Sequence, residues 1–384
     1  MPDFDEPAEY ADLRAAVRKI SADHGHAEFA AYGMRNEPQL ELWADLAEAG
    51  FIGINIPAEY GGGGAGLAEL VLVAEESAGT GSPLLLLLVS SAISVEILAR
   101  HGSLEQKQEW LPRLAAGEKM AFAITEPDAG SNSHRISTTA RRDGDDYLIS
   151  GQKYYISGVD QSAAILTVTS TGPDPDSGRG RMSLFIVPTD APGLSVTALP
   201  VAAQIPDRQF TVFYDDVRVP ASALIGTEGE GFRPLFDGLN PERIIAAALG
   251  VGIGRFALDK AARYASERTV WDRPIGAHQG VAHKLAEAKV AVEAAALLTA
   301  KAAWLHDNHR PAGELSNMAK YAAAEAALAA VDAAIQTHGG NGLSVEFGLL
   351  PLWGMARLLR IAPVNREMVL NYLAQHSLGL PRSY

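Results

Sequence analysis

The sequence predicts a multi-domain α+β protein, ordered as helices, then a β domain, then a helical bundle. Three changes of rhythm carry this. Apolar residues recur at helical spacing from about Pro7 to Gly117. The pattern shortens to alternating β runs from about Met120 to Gly226, and an alanine-rich helical period returns from about Gly229 onward. At roughly 150 residues per domain, the 384-residue length suits two or three domains, placed here at residues 1–118, 119–228 and 229–384.

In the first region Leu40, Leu42, Trp43, Leu46 and Ala47 share one helical stripe, with Gly50 placed to stop it. Leu67, Leu70, Val71, Val73 and Ala74 begin a second helix. Ser103 and Gln106 open a third as a capping box ahead of Trp110 and Leu111. In the middle region Tyr147-Leu148-Ile149 precedes Gly151, and Lys153-Tyr154-Tyr155-Ile156 follows it. Ala164–Thr169, Ser183–Val187 and Phe210–Phe213 read as further strands, Asp143-Gly144-Asp145 as a hairpin turn, and Thr171–Gly180 as a flexible loop. In the last region Ile244–Leu258, Val281–Ala303, Met318–Ala334 and Met368–Ala374 are helical. Their small residues let helix axes approach closely.

Composition narrows the function. Lys and Arg total 32 against 46 Asp and Glu, a net charge of −14, which argues against nucleic-acid or anionic-membrane partners. The absence of cysteine removes disulfides, thiolate nucleophiles, iron–sulfur clusters and thiolate zinc sites. Residues 1–10 are acidic and unlike a secretory signal, and the longest apolar stretch, Leu84–Val89, falls far short of the ~18–20 residues of a membrane span. A cytoplasmic protein is expected. No metal site is expected either, since the histidines are scattered and His24 and His26, too close on a helix to ligate together, read as solvated. No serine lies in a Gly-x-Ser-x-Gly elbow. Gly61–Gly64 runs into Ala65, so it reads as a turn and not a phosphate loop. Gly250, Gly252 and Gly254 sit inside a helical run, so they read as close packing and not a dinucleotide fingerprint.

Three segments invite chemistry. Phe122-Ala123-Ile124-Thr125-Glu126-Pro127-Asp128-Ala129-Gly130-Ser131 starts as a strand and ends in a polar turn offering a hydroxyl, free amides and a glycine. Lys153-Tyr154-Tyr155-Ile156-Ser157-Gly158 presents an aromatic platform beside a hydroxyl and, taken alone, reads as an edge strand. Gln336-Thr337-His338-Gly339-Gly340-Asn341-Gly342 ends an alanine-rich helix with more glycines than a cap needs.

In this order and spacing the three segments resemble the acyl-CoA dehydrogenase family, and the likeness extends over nearly the whole chain. Pro57-Ala58-Glu59-Tyr60-Gly61-Gly62 is similar to the family's N-terminal turn. Glu267-Arg268 with Gln279 is similar to its segment that reaches across a subunit interface. The resemblance implies an N-terminal helical domain, a middle β-barrel-like domain and a C-terminal four-helix bundle. It implies FAD bound in extended form between the β domain, the bundle and a neighbouring subunit, which accounts for the missing Rossmann fingerprint, and hence a homodimer or homotetramer. The implied reaction is oxidation of an acyl-CoA to the 2,3-enoyl-CoA, with electrons passed to an electron-transfer flavoprotein. By position, the resemblance places Phe122, Thr125, Ser131, Tyr155 and Ser157 at the flavin, with Ser131 also touching CoA. It places Arg268 at the pyrophosphate of a partner's FAD, Gln279, Gln336, Gly339 and Gly340 at the adenosine half, and Asn240 and Arg243 at the thioester arm.

Removing the α-proton of a thioester needs a positioned carboxylate and hydrogen bonds to the developing enolate. Many family members carry that glutamate near the C-terminus. The matching stretch here is Arg360-Ile361-Ala362-Pro363-Val364-Asn365, where Pro363 cannot act as a base, and Glu367 reads as a solvated helix residue. Other members carry it on the first long bundle helix just before an arginine, which implicates Glu242 beside Arg243. With Asn240 as N-cap and Pro241 at the first helical position, Glu242 is expected in the first turn, where the helix dipole favours the carboxylate. Asn132, Trp271-Asp272 and the missing C-terminal Gly-Thr depart from the family pattern. Two rival functions follow. One is a noncatalytic subunit that supports FAD binding in a mixed oligomer, favoured by the absent C-terminal glutamate. The other is an oxygen-using flavoenzyme (an oxidase or monooxygenase) on the same fold.

Overall fold

The computed structural model describes residues 7–173 and 180–382. Five helices come first: α1 (Ala8–Arg35), α2 (Leu40–Glu48), α3 (Leu67–Gly79), α4 (Val95–His101) and α5 (Leu104–Ala115), with a π-helical segment over Leu87–Ser94 leading into α4. The Ser103–Gln106 capping box forms as expected, with Gln106 N–H donating to Ser103 Oγ at 3.2 Å and Gln106 Oε1 accepting from Ser103 N–H at 2.9 Å. Gly50, at φ 81, follows α2 in the left-handed conformation that only glycine adopts cheaply.

His24 and His26 are not solvated as expected. A break in α1 at Gly25 (φ 68) turns His26 inward. Its Nδ1 lies 2.9 Å from Gly81 O and its Nε2 3.0 Å from Gly348 O, and burial pushes its pKa down. His24 is half-buried between Asp45 and Glu28.

The strands are β1 (Met120–Ala123), β2 (Thr139–Asp143), β3 (Asp146–Ser157), β4 (Ala164–Pro173), β5 (Gly180–Pro188), β6 (Leu194–Ala198), β7 (Gln209–Pro220) and β8 (Leu224–Ile225). They form one sheet in the order β6-β7-β3-β2-β4-β5-β8, with β1 parallel to β4. Gly144 (φ 65) and Asp145 make the two-residue turn joining β2 to β3. The expected loop at Thr171–Gly180 is shorter than expected: Thr171–Pro173 complete β4, Gly180 starts β5, and residues 174–179 lie outside the described residues.

Strand periodicity sorts the side chains. Ala121, Ala123, Ile149, Ile165, Phe185, Val187, Val212 and Tyr214 from both halves of the sheet point into one shared core, as a barrel-like arrangement requires. Their alternates Met120, Phe122, Leu166, Val168, Leu184 and Ile186 pack instead against α4, α5 and the start of the long helix that follows.

That helix, α6 (Phe232–Glu267), is followed by the hairpin β9 (Thr269–Val270) and β10 (Arg273–Pro274). Among the described residues four more helices follow: α7 (Gln279–Asp307), α8 (Gly313–His338), α9 (Leu349–Ile361) and α10 (Arg366–His376). The three helical glycines do serve close packing, each toward a different neighbour. A Cβ on Gly250 would lie 3.0 Å from Ala323 O of α8, one on Gly252 2.4 Å from Glu75 O of α3, and one on Gly254 2.6 Å from Val292 of α7. Polar contacts add to this packing. Arg255 of α6 bridges Glu75 and Glu293 at 3.1 Å each. Asp307, the last residue of α7, accepts the otherwise unpaired N–H groups of Leu67 and Ala68 at the start of α3, at 2.8 and 2.9 Å.

Candidate active site

The residues singled out from the sequence fall into two groups. The first gathers where the sheet meets the bundle. Phe122 is buried one residue before the end of β1, and the chain then runs out to Thr125, whose carbonyl accepts Tyr154 N–H at 2.8 Å. This bond closes the free side of β3 where it extends past β2, so the Lys153–Gly158 segment is flanked by β7 and by the Thr125 turn and is not a bare edge. Tyr155 stands beside it at φ 57, a left-handed conformation unusual for tyrosine, with its ring 55% exposed and edge-on to Tyr154 at 4.5 Å. Ser157 donates to Gln209 Oε1 at 2.9 Å.

Beneath this surface lies an ion pair that the motif reading missed. Lys153 is fully buried and its Nζ donates to Glu126 Oε1 at 2.9 Å and to Ile124 O at 3.1 Å. Glu126 also accepts from Ser137 N at 2.6 Å, Ser137 Oγ at 2.7 Å and Thr138 N at 2.9 Å. Burial alone would raise the Glu126 pKa, but the Lys153 ammonium and the Ser137 N–H outweigh it and hold the group at about 2. Burial pushes Lys153 down to about 8 against the pull of Glu126, so both are charged at neutral pH. The signal was present in the sequence: the alternation that turns Tyr147 and Ile149 inward also turns Lys153 inward, and an inward lysine needs a buried partner.

Ser131, at the end of the same loop, is exposed and accepts a hydrogen bond from Asn365 Nδ2 at 2.7 Å. Asn365 also caps α10 by accepting Met368 N–H at 2.8 Å. One side chain therefore ties the Glu126–Ser131 loop to the C-terminal helices, just past Pro363.

Glu242 is not in a first turn. Helix α6 starts at Phe232 and passes through Pro241, so Asn240 is no N-cap and Glu242 lies about three turns inside the helix, beyond the reach of its dipole. The proline misled the sequence reading: it reads as a helix start, yet it is tolerated here at the cost of one backbone hydrogen bond. Glu242 is 7% exposed and its carboxylate has no hydrogen-bond partner among the described residues. Burial raises its pKa to about 8, opposed by the charges of Arg243 and Lys320. Arg243 donates Nη1 to Asn240 Oδ1 at 2.9 Å, and burial pushes its pKa down. Glu367 is exposed, as expected.

The second group is far from the first. Arg268, Gln279, Gln336, Gly339 and Gly340 are all exposed. They cluster around the C-terminal end of α6, where Tyr264 stacks on His338 at 4.2 Å and its hydroxyl accepts from Asn341 Nδ2 at 3.1 Å. At the rise of a helix, Arg268 is roughly 39 Å along α6 from Glu242. A single chain does not bring the two groups together.

Comparison with known proteins now decides the family. Residues 7–118, 121–217 and 229–378 match the N-terminal, middle and C-terminal domains of acyl-CoA dehydrogenase. The chain belongs to the acyl-CoA dehydrogenase family. It is 55% identical to the acyl-CoA dehydrogenase FadE12 of Mycobacterium tuberculosis, with 99% of each chain covered. Glutaryl-coenzyme A dehydrogenase, solved with glutaryl-CoA, is similar at 31% identity and a TM-score of 0.94, over 100% of this chain and 98% of that one. A glutaryl-CoA dehydrogenase from Mycobacterium smegmatis, solved with FADH2, is similar at 26% identity and a TM-score of 0.90, over 99% and 96%. The three-part architecture of helices, sheet and helices is that of the family, and the chain is an enzyme of the family's oxidoreductase class. No helix among the described residues is long and apolar enough to cross a membrane.

The buried ion pair makes a direct prediction. Lys153→Met leaves the Glu126 carboxylate buried without its counter-ion and should cost about 3–5 kcal/mol in urea unfolding. Lys153→Met with Glu126→Gln should regain much of that loss. Because Glu126 is held below its unfolded value, the wild-type pair stabilises fully above that value, and its contribution is lost as pH falls toward about 2. Unfolding of Lys153→Met that matches wild type would show that the pair contributes nothing.

Proposed function

We propose that this chain is an FAD-dependent acyl-CoA dehydrogenase that oxidises an acyl-CoA to the 2,3-enoyl-CoA, with Glu242 as the base that removes the α-proton. The observation that carries this is the place of Glu242: an acidic side chain 7% exposed on α6, without an ion-pair partner among the described residues, with burial raising its pKa to about 8 against the charges of Arg243 and Lys320. A raised pKa makes it a stronger base once ionised, matched to a weakly acidic proton at neutral to alkaline pH.

The residues present fit a flavin. Tyr155 offers an exposed aromatic face in a fixed backbone conformation, and the Thr125, Ser131 and Ser157 hydroxyls offer hydrogen bonds around it. When bound, FAD supplies the hydride acceptor that the protein itself lacks. Phe122, Thr125, Ser131, Tyr155 and Ser157 would hold the ring end. The ion pair of Lys153 and Glu126 keeps the loop that presents Thr125 and Ser131 rigid. Ser131 would also touch CoA, and Asn240 and Arg243 would orient the thioester arm. Arg243, positive and buried one residue from Glu242, also favours the charge that builds as the proton leaves.

Arg268, Gln279, Gln336, Gly339 and Gly340 would serve the adenosine and pyrophosphate half bound to a neighbouring copy, so the working unit is a homodimer or homotetramer. The separation of the two groups along α6 supports this, since an extended dinucleotide held near Tyr155 would need the second group from another chain. An electron-transfer flavoprotein is proposed as the acceptor.

Glu242→Gln should lower turnover by two or more orders of magnitude in steady-state assay while FAD stays bound. Near-wild-type turnover would remove Glu242 from the mechanism. Arg268→Ala should purify with depleted FAD, read from the ratio of flavin to protein absorbance. Full flavin content in a protein that sediments as a monomer would contradict the shared site.

A further inference from the structure

Helix α7 packs one side of its length on α8, α6 and α3, burying Val292, Ala295, Thr299, Ala302 and Ala303. Its opposite side is apolar as well, which a helix that faces only water does not need. Val290 is 72% exposed, Leu297 68% and Trp304 50%. These three recur every seven residues, so they lie on one stripe. Ala291 and Ala294 are exposed between them, and the half-buried Leu298 borders them. Little of the charge on α7 goes to covering this stripe. Glu293 is taken up by Arg255 and Lys289, and Arg310 reaches the Trp304 ring at 5.3 Å only at the C-terminal end. Glu287 and Lys301 flank the stripe, both exposed and without an ion pair among the described residues.

We propose that this face of α7 is an interface between copies of the chain, in which two α7 helices lie antiparallel about a two-fold axis at Ala294. The stripe is complementary to itself read in reverse, as a two-fold contact that uses one patch twice requires. Glu287, seven residues before Ala294, falls opposite the partner's Lys301, seven after it. Val290 falls opposite the partner's Leu298, and Ala291 opposite the partner's Leu297. Ala294 meets its own copy at the axis, where two methyl groups let the helices approach most closely. Trp304 falls opposite the partner's Lys284, whose aliphatic stem can lie along the exposed ring. A parallel pairing in the same register would instead set glutamate on glutamate and lysine on lysine. The chain carries a net charge of −14 and repels its own copy at long range. A contact between copies therefore needs what this face offers, an apolar seam with opposite charges matched at both ends. The proposal does not depend on Glu242 as the base. Nor does it depend on a shared flavin, since Gln279 lies fifteen residues, roughly 22 Å, along α7 from Ala294.

The absence of native cysteine makes the test direct, because an introduced thiol has no competitor in the chain. In the full-length Ala294→Cys protein the two thiols meet at the axis, within the ~7 Å Cα separation that a disulfide can bridge. Mild oxidation with copper phenanthroline in dilute solution should turn most of the protein into a covalent dimer on a non-reducing gel, reversed by reductant. Val290→Cys alone should run as a single chain, because its two thiols are offset by about 12 Å along the helices. Val290→Cys combined with Leu298→Cys should link again, and this pair carries the same test if Ala294→Cys does not fold. Circular dichroism checks that each variant keeps its helices. A folded Ala294→Cys protein whose thiol stays free, or that links no better than Val290→Cys, overturns the proposal. So does one that links only to a protein other than this chain.

Discussion

The close packing of α6 is the constraint on which the rest depends. Three glycines spaced two apart let one helix approach α8, α3 and α7 at once, and each would clash if it carried a side chain. Short side chains on the facing helices, chiefly alanine, complete the fit. Within the same helical packing Glu242 and Lys320 are buried. A carboxylate in water would titrate near its ordinary value and would be a weak base. Burial inside this bundle raises the pKa of the same group and makes it a stronger base once ionised.

The other half of the site is stiffened differently. The loop from Glu126 to Ser131 packs Ala129 into the core and is held by polar contacts at both ends. Lys153 comes up from β3 to neutralise Glu126, and the Ser137 and Thr138 amides share the remaining charge. Asn365 then joins the loop's far end to α10. The hydroxyls and the Tyr155 ring thus sit on a surface fixed from the sheet side by a buried ion pair and from the bundle side by one amide. Such polar supports cost free energy to bury, and they keep a single geometry only while every member is satisfied.

Much of this was legible in the sequence. The three regions, the Ser103 cap, the Gly144 turn and the packing role of Gly250, Gly252 and Gly254 follow from period and local stereochemistry. The errors have physical causes. Asn240-Pro241 looks like a helix start because proline suits a first turn, but burial of the flanking residues carries α6 straight through it, and the dipole argument for Glu242 fell with that start. His26 looked solvated because nothing local reveals that Gly25 breaks the helix and turns the ring toward two carbonyls distant in sequence. Lys153 and Lys320 were passed over because motif matching rewards exposed, ligand-facing residues. Strand and helix periodicity turned both of them inward all the same.

The central claim is that this interior abstracts a proton from an acyl-CoA so that its hydride can pass to a bound flavin. The most direct measurement mixes the FAD-loaded protein with a panel of acyl-CoAs under nitrogen and follows the flavin absorbance. Bleaching by at least one acyl class is expected, and it would name the substrate. A flavin that stays oxidised with every acyl-CoA would contradict the claim and leave the chain as a noncatalytic partner.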